Sequence, residues 1–265
     1  MKYSGMIVKM DAEFGSPVQY NLPIGDAVVD MNGLIGHNIS LTWLNEIKCV
    51  CCGKTIKKSF GQGYCYPCFT TSPETDSCVL RPEMCRAHEG VARDLEWATE
   101  HCLQDHYVYL ALTSDVKVGV TRETQVPTRW IDQGAWKAIK LAKTPNRYTA
   151  GLIEVELKQY IKDKTNWREM LRNIQNTQID LLTEKKRLSQ LLPAELSEYV
   201  CGEDEIYEME YPVVLYPQKP VCIDFEKINE IHSMLLGIKG QYLIFDNNIV
   251  INLRKHSGYV VRLEE

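Results

Sequence analysis

Eight of the ten cysteines in this 265-residue chain lie between Cys49 and Cys102. Cysteines that gather in this way hold metal ions in a reducing compartment, whereas a small secreted protein pairs them in disulfides. Residues 1–10 carry two lysines and lack the apolar run of a signal peptide. No stretch reaches the roughly 18 apolar residues of a membrane helix. We therefore expect a cytoplasmic protein that inserts into no membrane and uses these cysteines to bind zinc.

The first four ligands are predicted by two closely spaced pairs of cysteines. Two residues separate Cys49 from Cys52, two separate Cys65 from Cys68, and twelve lie between the pairs. Two intervening residues allow both sulfurs and nearby backbone amides to converge on one ion, and two such turns complete a tetrahedron. This spacing predicts a zinc ribbon, with Cys51 left over because its spacing is poorer.

A second set of ligands follows the first: Cys78, Cys85, His88 and Cys102. Three cysteines and one histidine close another structural zinc site, although His101 or His106 can take the place of one ligand. Fully ligated sites are structural, because catalytic zinc keeps an open position. We therefore expect one or two structural Zn²⁺ ions that fold this part of the chain.

Few aliphatic residues accompany the cysteines, so metal is expected to hold residues 49–105 together as a zinc-stapled insert. Both ends of the chain have the pattern of short strands bounded by Gly, Pro and Asn. We expect residues 1–48 and 205–265 to pair into one β-rich sheet or small barrel around the middle. The composition, 45% hydrophobic and 25% charged, is that of an ordinary globular protein.

The middle of the chain, residues 106–204, is predicted to form an α/β unit. Its expected elements are strands at 107–112 and 116–120, helices at 128–141 and 149–161, and a long amphipathic helix over 167–192. The two strands and the short turn between them give a hairpin signal. Pro193 ends the long helix, in which apolar residues recur at helical spacing. The expected fold class is therefore α+β.

Charge is distributed unevenly along the chain. The whole carries a formal net charge of −5, yet residues 106–172 contain 12 Lys and Arg against 7 Asp and Glu. Local charge decides what a surface attracts, so this segment can present a face to nucleic acid.

Within the same segment, five residues stand in a recognisable order: Tyr109, Gly119, Arg129, Glu154 and Asn166. Over residues 107–167 the chain resembles the GIY-YIG nuclease superfamily. Those domains have two short motifs on hairpin strands, a helix with a required arginine, a later helix with a metal-binding glutamate and often a late asparagine. Val108-Tyr109 matches the first motif and Val118-Gly119 the second.

This resemblance implies a phosphodiesterase that depends on a divalent metal. Glu154 would hold Mg²⁺ or Mn²⁺, Arg129 would pair with the scissile phosphate, and Tyr109 would position or deprotonate the attacking water. Lys117 stands where the superfamily usually has its second tyrosine, and Tyr107 where glycine is usual. An inactive relative therefore remains an alternative.

Four further residues are predicted to contact nucleic acid, either DNA or RNA. Lys117 and Arg122 would grip phosphates. Trp130 and Lys239 lie in short motifs that combine aromatic, amide and basic groups, which suit base stacking and phosphate contact. Turns with ordinary hydrogen bonds explain these motifs as well.

Longer motifs resemble a bacterial cysteine-rich zinc-knuckle protein family that is largely uncharacterised; they span residues 52–54, 58–69, 116–122, 129–135 and 236–243. That family implies the zinc knuckles and no particular activity. Two hypotheses therefore stand: a zinc-containing nucleic-acid-binding protein that acts as a nuclease, or an inactive interaction or scaffold protein with structural zinc and a protein partner.

Overall fold

The computed structural model describes residues 1–161 and 164–265, and it confirms the α+β class. The strands are β1 (Lys2–Met6), β2 (Asp11–Glu13), β3 (Gln19–Ile24), β4 (Ala27–Asp30), β5 (Asn38–Lys48), β6 (Thr55–Ile56), β7 (His106–Leu112), β8 (Val116–Arg122), β9 (Lys137–Thr144), β10 (Ile206–Glu208), β11 (Val221–Cys222), β12 (Glu230–Lys239), β13 (Tyr242–Phe245), β14 (Ile249–Asn252) and β15 (Tyr259–Glu264). The α-helices are α1 (Tyr66–Thr71), α2 (Ser77–Leu80), α3 (Leu95–His101), α4 (Thr128–Asp132), α5 (Arg147–Leu157), α6 (Trp167–Leu171), α7 (Leu181–Ser189) and α8 (Ala194–Ser197).

The chain divides into two compact units. Unit 1 comprises Met1–Thr70, Leu171–Asn173 and Met209–Glu265, and unit 2 comprises Thr71–Met170 and Ile174–Glu208. The cysteine-rich segment contributes to both, because its first four predicted ligands lie in unit 1 and the others in unit 2. None of the helices in the described part of the chain is long and apolar enough to cross a membrane.

Unit 1 is built on a large sheet to which both ends of the chain contribute, as expected. Its strand order is β1-β15-β5-β12-β13-β14-β11, with β6 paired to β5. Lys2 pairs with Glu264 at one edge, and Leu41 in the centre pairs with Leu263. Since β1 and β11 do not pair with each other among the described strands, the sheet is open and the barrel alternative is set aside. Strands β2, β3 and β4 form a second, three-stranded sheet.

Unit 2 is built on a four-stranded antiparallel sheet of order β10-β9-β7-β8. The predicted hairpin is confirmed as β7 and β8, in which Tyr109 lies opposite Gly119. All seven residues of β7 are buried. Alternate residues of β7, Val108 and Leu110 among them, pack with Ile153 and Leu188 of helices α5 and α7 in one hydrophobic core. This core fixes the hairpin against α5.

The helix predicted over 128–141 is wrong beyond its first five residues. Helix α4 ends at Asp132, and residues 137–144 form strand β9 beside β7. Gly134 has a φ of +71°, and a Cβ there would lie 2.4 Å from the sulfur of Met170. Glycine adopts this left-handed backbone without steric cost, so it ends the helix and turns the chain into the sheet.

The long helix predicted over 167–192 is also wrong. Two short helices, α6 and α7, occupy this stretch, and Asn173 between them has a φ of +55°. A new helix starts where the carboxylate of Asp180 accepts a hydrogen bond from the amide of Thr183, 2.9 Å away. Such an N-cap satisfies an amide that an isolated helix end leaves without a partner. The predicted helix over 149–161 is observed as α5, capped in the same way by Asn146.

Candidate metal centres and the Tyr109 cluster

Four cysteine sulfurs of unit 1 converge as the spacing predicts. The Sγ atoms of Cys49, Cys52, Cys65 and Cys68 all lie within 4.8 Å of one another. The Cys52 and Cys65 sulfurs are 3.9 Å apart. A tetrahedral zinc ion with Zn–S bonds of about 2.3 Å separates its sulfurs by about 3.8 Å. The four thiols therefore fit a single zinc ion.

Two turns position these thiols. The first connects β5 to β6, where the amide of Gly53 donates to the carbonyl of Cys49 at 2.8 Å and Gly53 itself has a φ of +71°. The second turn contains Gly63, at which a Cβ would lie 2.6 Å from both the Ser257 carbonyl oxygen and a Val50 side-chain carbon. Only glycine allows the backbone to approach this closely, so the ribbon is held against the sheet of unit 1.

Hydrogen bonds favour a thiolate at Cys49. Burial raises the pKa of this thiol, but backbone amides of Cys65, Cys52 and Cys51 donate to the sulfur and lower the pKa overall to about 6. The Cys65 amide nitrogen lies 3.2 Å from the Cys49 sulfur. Because zinc binds the thiolate form, these amides prepare Cys49 as a ligand near neutral pH. Cys51 is exposed and lies outside the group of four.

Three cysteines of unit 2 form the second cluster. The sulfurs of Cys78, Cys85 and Cys102 lie within 4.8 Å of one another, and all three residues are buried. Cys78 lies on α2, whose first turn is capped by Asp76, and Cys102 directly follows α3. Hydrogen bonds from the Cys102 and Cys78 thiols lower the pKa of Cys85. The cluster therefore offers three sulfur ligands to one ion.

The fourth ligand predicted for this cluster, His88, is not brought into the group. Its ring stacks on Tyr148 with centroids 4.4 Å apart. The ring of His101 stacks on Trp97 at 4.2 Å, and Nδ1 of His106 donates to the Gln104 carbonyl at 2.7 Å. Across residues 1–161 and 164–265, no fourth Cys, His, Asp or Glu atom joins the three sulfurs within 4.8 Å. Ligation by His88 thus stays a prediction.

Arg147 supports the second cluster, and the sequence analysis missed it. Its guanidinium donates to the carbonyls of Cys78, at 3.2 Å, and His101, at 3.0 Å. Its backbone amide donates to the Cys102 carbonyl at 2.8 Å. Nothing in the sequence marks this arginine, since it is one of several cations in the segment and its partners are backbone atoms.

Tyr109 is the centre of a third group of residues. Its side chain is fully buried, and its hydroxyl donates to Oε1 of Gln133 at 2.9 Å. Burial raises the pKa of the phenol, the cation of Arg129 lowers it, and the carboxylate of Glu154 raises it. The three predicted catalytic residues are thus close enough for the charges of Arg129 and Glu154 to act on one hydroxyl. Gln133 was not among the residues predicted for this site.

Glu154 is itself largely buried on α5. One carboxylate oxygen lies 3.2 Å from Nζ of Lys158, one helical turn further on. This spacing is the ordinary geometry of a helical ion pair. The described residues place no group of three metal-binding side chains around Glu154, in contrast to the two cysteine clusters.

The family model described as Protein of unknown function (DUF2797) matches residues 36–261, which is most of the chain. This chain is a DUF2797 protein. The match includes both cysteine clusters and the residues around Tyr109. Searches of curated proteins and of solved structures found no match.

The residues of this DUF2797 protein that were predicted to contact nucleic acid differ in exposure. Lys117 is 5% exposed and Arg122 is half-buried. Trp130 is fully buried and packs its ring on Tyr109 and Tyr207.

Lys239 of unit 1 is fully buried as well. Its ammonium donates to Oδ1 of Asn173 at 2.8 Å and lies 5.1 and 5.4 Å from the ring centroids of Tyr211 and Tyr216. Burial lowers its pKa to about 7. Lys239 and Trp130 are both fully buried, so neither side chain is exposed to a nucleic-acid ligand.

Proposed function

We propose that this DUF2797 protein binds nucleic acid through unit 2, with zinc at its cysteine clusters, and that Tyr109, Arg129 and Glu154 form a phosphodiesterase site of GIY-YIG type. One observation carries the proposal. The Tyr109 hydroxyl lies against Gly119 of the neighbouring strand, and Arg129 of α4 and Glu154 of α5 both act on it electrostatically. Arg129 and Glu154, which are far from Tyr109 in sequence, thus both lie near its phenol. The three residues follow one another along the chain in the same order as in the superfamily.

The chemistry of these groups suits phosphodiester hydrolysis. A guanidinium such as that of Arg129 pairs with phosphate oxygens through parallel hydrogen bonds and offsets the charge that develops on them. The phenol of Tyr109 can orient a water molecule. A divalent ion would supply further charge to the phosphate and leaving group.

A magnesium or manganese ion fits Glu154 only in part. Mg²⁺ keeps several waters and is often held by one or two carboxylates together with substrate phosphates, so one carboxylate suffices. The ammonium of Lys158, however, already pairs with that carboxylate. The Lys158 ammonium must leave this ion pair before Glu154 can bind a cation. A substrate phosphate would supply the alternative anionic partner for that ammonium.

Charge favours a polyanionic ligand at residues 106–172 only, because unit 2 as a whole contains 17 Lys and Arg against 23 Asp and Glu. Residues 106–172 carry a positive balance, whereas the rest of the chain is acidic. A positive surface attracts nucleic acid and releases its condensed counterions, so binding should weaken steeply as salt increases.

A second candidate is an interaction protein without catalytic activity, and three features favour it. The Tyr109 side chain is fully buried and its hydroxyl is engaged by Gln133. Glu154 is paired with Lys158. Lys117 stands where the superfamily usually has its second tyrosine, and only 5% of it is exposed.

The test is cleavage and binding of labelled single- and double-stranded DNA and RNA by zinc-loaded protein with Mg²⁺ or Mn²⁺. Glu154→Gln is compared with Glu156→Gln, a change of equal charge on the same helix. We expect Glu154→Gln alone to abolish cleavage while binding persists. Binding without cleavage by the wild type would leave a recognition module. Loss of both, in folded protein, would refute the nucleic-acid function and favour the scaffold.

A further inference from the structure

The second cysteine cluster differs from the first in the number of its ligands. Four sulfurs surround one point in unit 1, but only Cys78, Cys85 and Cys102 do so in unit 2. A tetrahedral ion bound by three thiolates keeps one free position, which is the arrangement of zinc sites that take an external ligand. The short sulfur separations suit one mononuclear ion.

A pocket opens directly onto these sulfurs. It has a volume of about 420 Å³ and is lined by all three cysteines. Pockets of roughly 300 Å³ and above are large enough for small-molecule ligands. None of His88, His101 and His106 lines it. His88 packs on Tyr148 and His101 on Trp97, whereas Nε2 of His106 is buried with no hydrogen-bond partner among the described residues. The cavity therefore borders all three cysteines of the cluster.

We propose that the cluster of Cys78, Cys85 and Cys102 is an open three-thiolate zinc site whose fourth ligand is a small organic thiol admitted through this pocket. Binding forms one Zn–S bond, releases the water that held the position, and delivers the thiol proton to solvent. This inference does not depend on nucleic-acid binding, because it concerns the second cluster alone.

The chemistry of the pocket favours sulfur as the donor. Its walls include the apolar side chains of Met84, Val91 and Trp97, which suit the carbon body of a thiol better than a hydrated oxygen ligand. Thiolate sites select soft metals and accept a further soft ligand. Arg86 and Arg93 line the cavity together with Asp76 and Asp94, so these wall charges balance, and Arg93 is paired with Asp76. The guanidinium of Arg147, which donates to the Cys78 carbonyl, offsets part of the negative charge that a fourth thiolate adds.

The experiment replaces zinc with Co²⁺ in the full chain and follows its visible absorption during titration with 2-mercaptoethanol. Ethylene glycol, in which oxygen replaces sulfur, is the matched control. We expect the cobalt bands to shift and to saturate at one thiol per chain, with no response to the glycol. The unit 1 site is already saturated with sulfur and should not contribute. Cys85→Ala should lose the response.

Histidine variants keep the proposal testable if Cys85→Ala fails to fold. In an open site, His88→Ala and His106→Ala leave both the starting spectrum and the thiol response unchanged. A wild type that ignores the thiol would overturn the proposal. If a variant of either histidine then begins to respond to the thiol, the fourth position belongs to the substituted histidine.

Discussion

The hydroxyl of Tyr109 occupies the space beside the Cα of Gly119, where the Cβ of any other residue would lie 2.5 Å from the tyrosine oxygen and 2.7 Å from its ring. The two residues are direct partners across the β7–β8 hairpin. Because Tyr109 is fully buried, its ring has no room to retreat. Residue 119 must therefore be glycine for the phenol to reach Gln133.

Substitution of this glycine should destabilise unit 2. We expect Gly119→Ala to lower the free energy of unfolding by about 1–3 kcal/mol, the usual cost of an extra methyl group in a packed core. Urea denaturation measures the change. Gly202→Ala is the control, since a Cβ there meets nothing within 4 Å. In a Tyr109→Ala background Gly119→Ala should cost much less, and an equal cost in both backgrounds would show that the contact is not the cause.

Adjacent cysteines should differ sharply in their effect on metal content. Cys52→Ala removes one of four converging sulfurs, whereas Cys51→Ala removes an exposed thiol outside the group. We expect the Cys52 variant to hold one equivalent of zinc less than the wild type and the Cys51 variant to hold the same. Elemental analysis of purified protein provides the count. Equal zinc loss in both variants would contradict the assignment of ligands.

Lys239 should make stability depend on pH. Burial lowers its pKa to about 7, below the ordinary value of 10.5, so the unfolded chain binds more protons than the native state between these values. Stability therefore rises with pH in this window, by at most about 1.4 kcal/mol per pH unit. Relative to Lys239→Met, the wild type should gain stability from pH 7 to 9 in urea denaturation. Parallel pH curves for the two proteins would show that burial does not lower the pKa of Lys239.

Arg147 should control the local stability of the second cysteine cluster. Arg147→Lys removes guanidinium hydrogen bonds to the carbonyls of Cys78 and His101, and each buried group left without a partner costs about 1–3 kcal/mol. We expect faster amide hydrogen exchange around these two residues and little change in the sheet of unit 1. Arg168→Lys is the control, because Arg168 is exposed. Identical exchange in both variants would show that Arg147 is dispensable.

Short-range patterns were predicted well from the sequence. The Cys49 and Cys65 pairs are set by two-residue turns, and the β7–β8 hairpin by neighbouring strands, so their geometry depends on a few consecutive residues. The pairing of both chain ends in one sheet also followed from composition, because strands with unpaired edges need partners.

Long-range contacts explain what sequence reasoning missed. The apolar spacing at residues 137–144 is compatible with a helix, and only Gly134 and pairing with β7 make it a strand. Apolar spacing over 167–192 likewise does not reveal the turn at Asn173. Lysine is usually a surface residue, so the sequence does not indicate that Lys239 is buried. Its burial follows from contacts with Tyr211, Tyr216 and Asn173, which lie elsewhere in the chain.

The order of the two units along the chain has a consequence for biosynthesis. Strand β5 of unit 1 precedes unit 2 in the chain, but its partners β12 and β15 follow unit 2. Unit 2 is complete once Glu208 has been made, and its hairpin and α5 are close in sequence. Contacts between nearby residues form faster than those that close long loops. Unit 2 should therefore fold during translation, whereas most of β5 stays unpaired, exposed to chaperones and to aggregation, until β12 and β15 have been made.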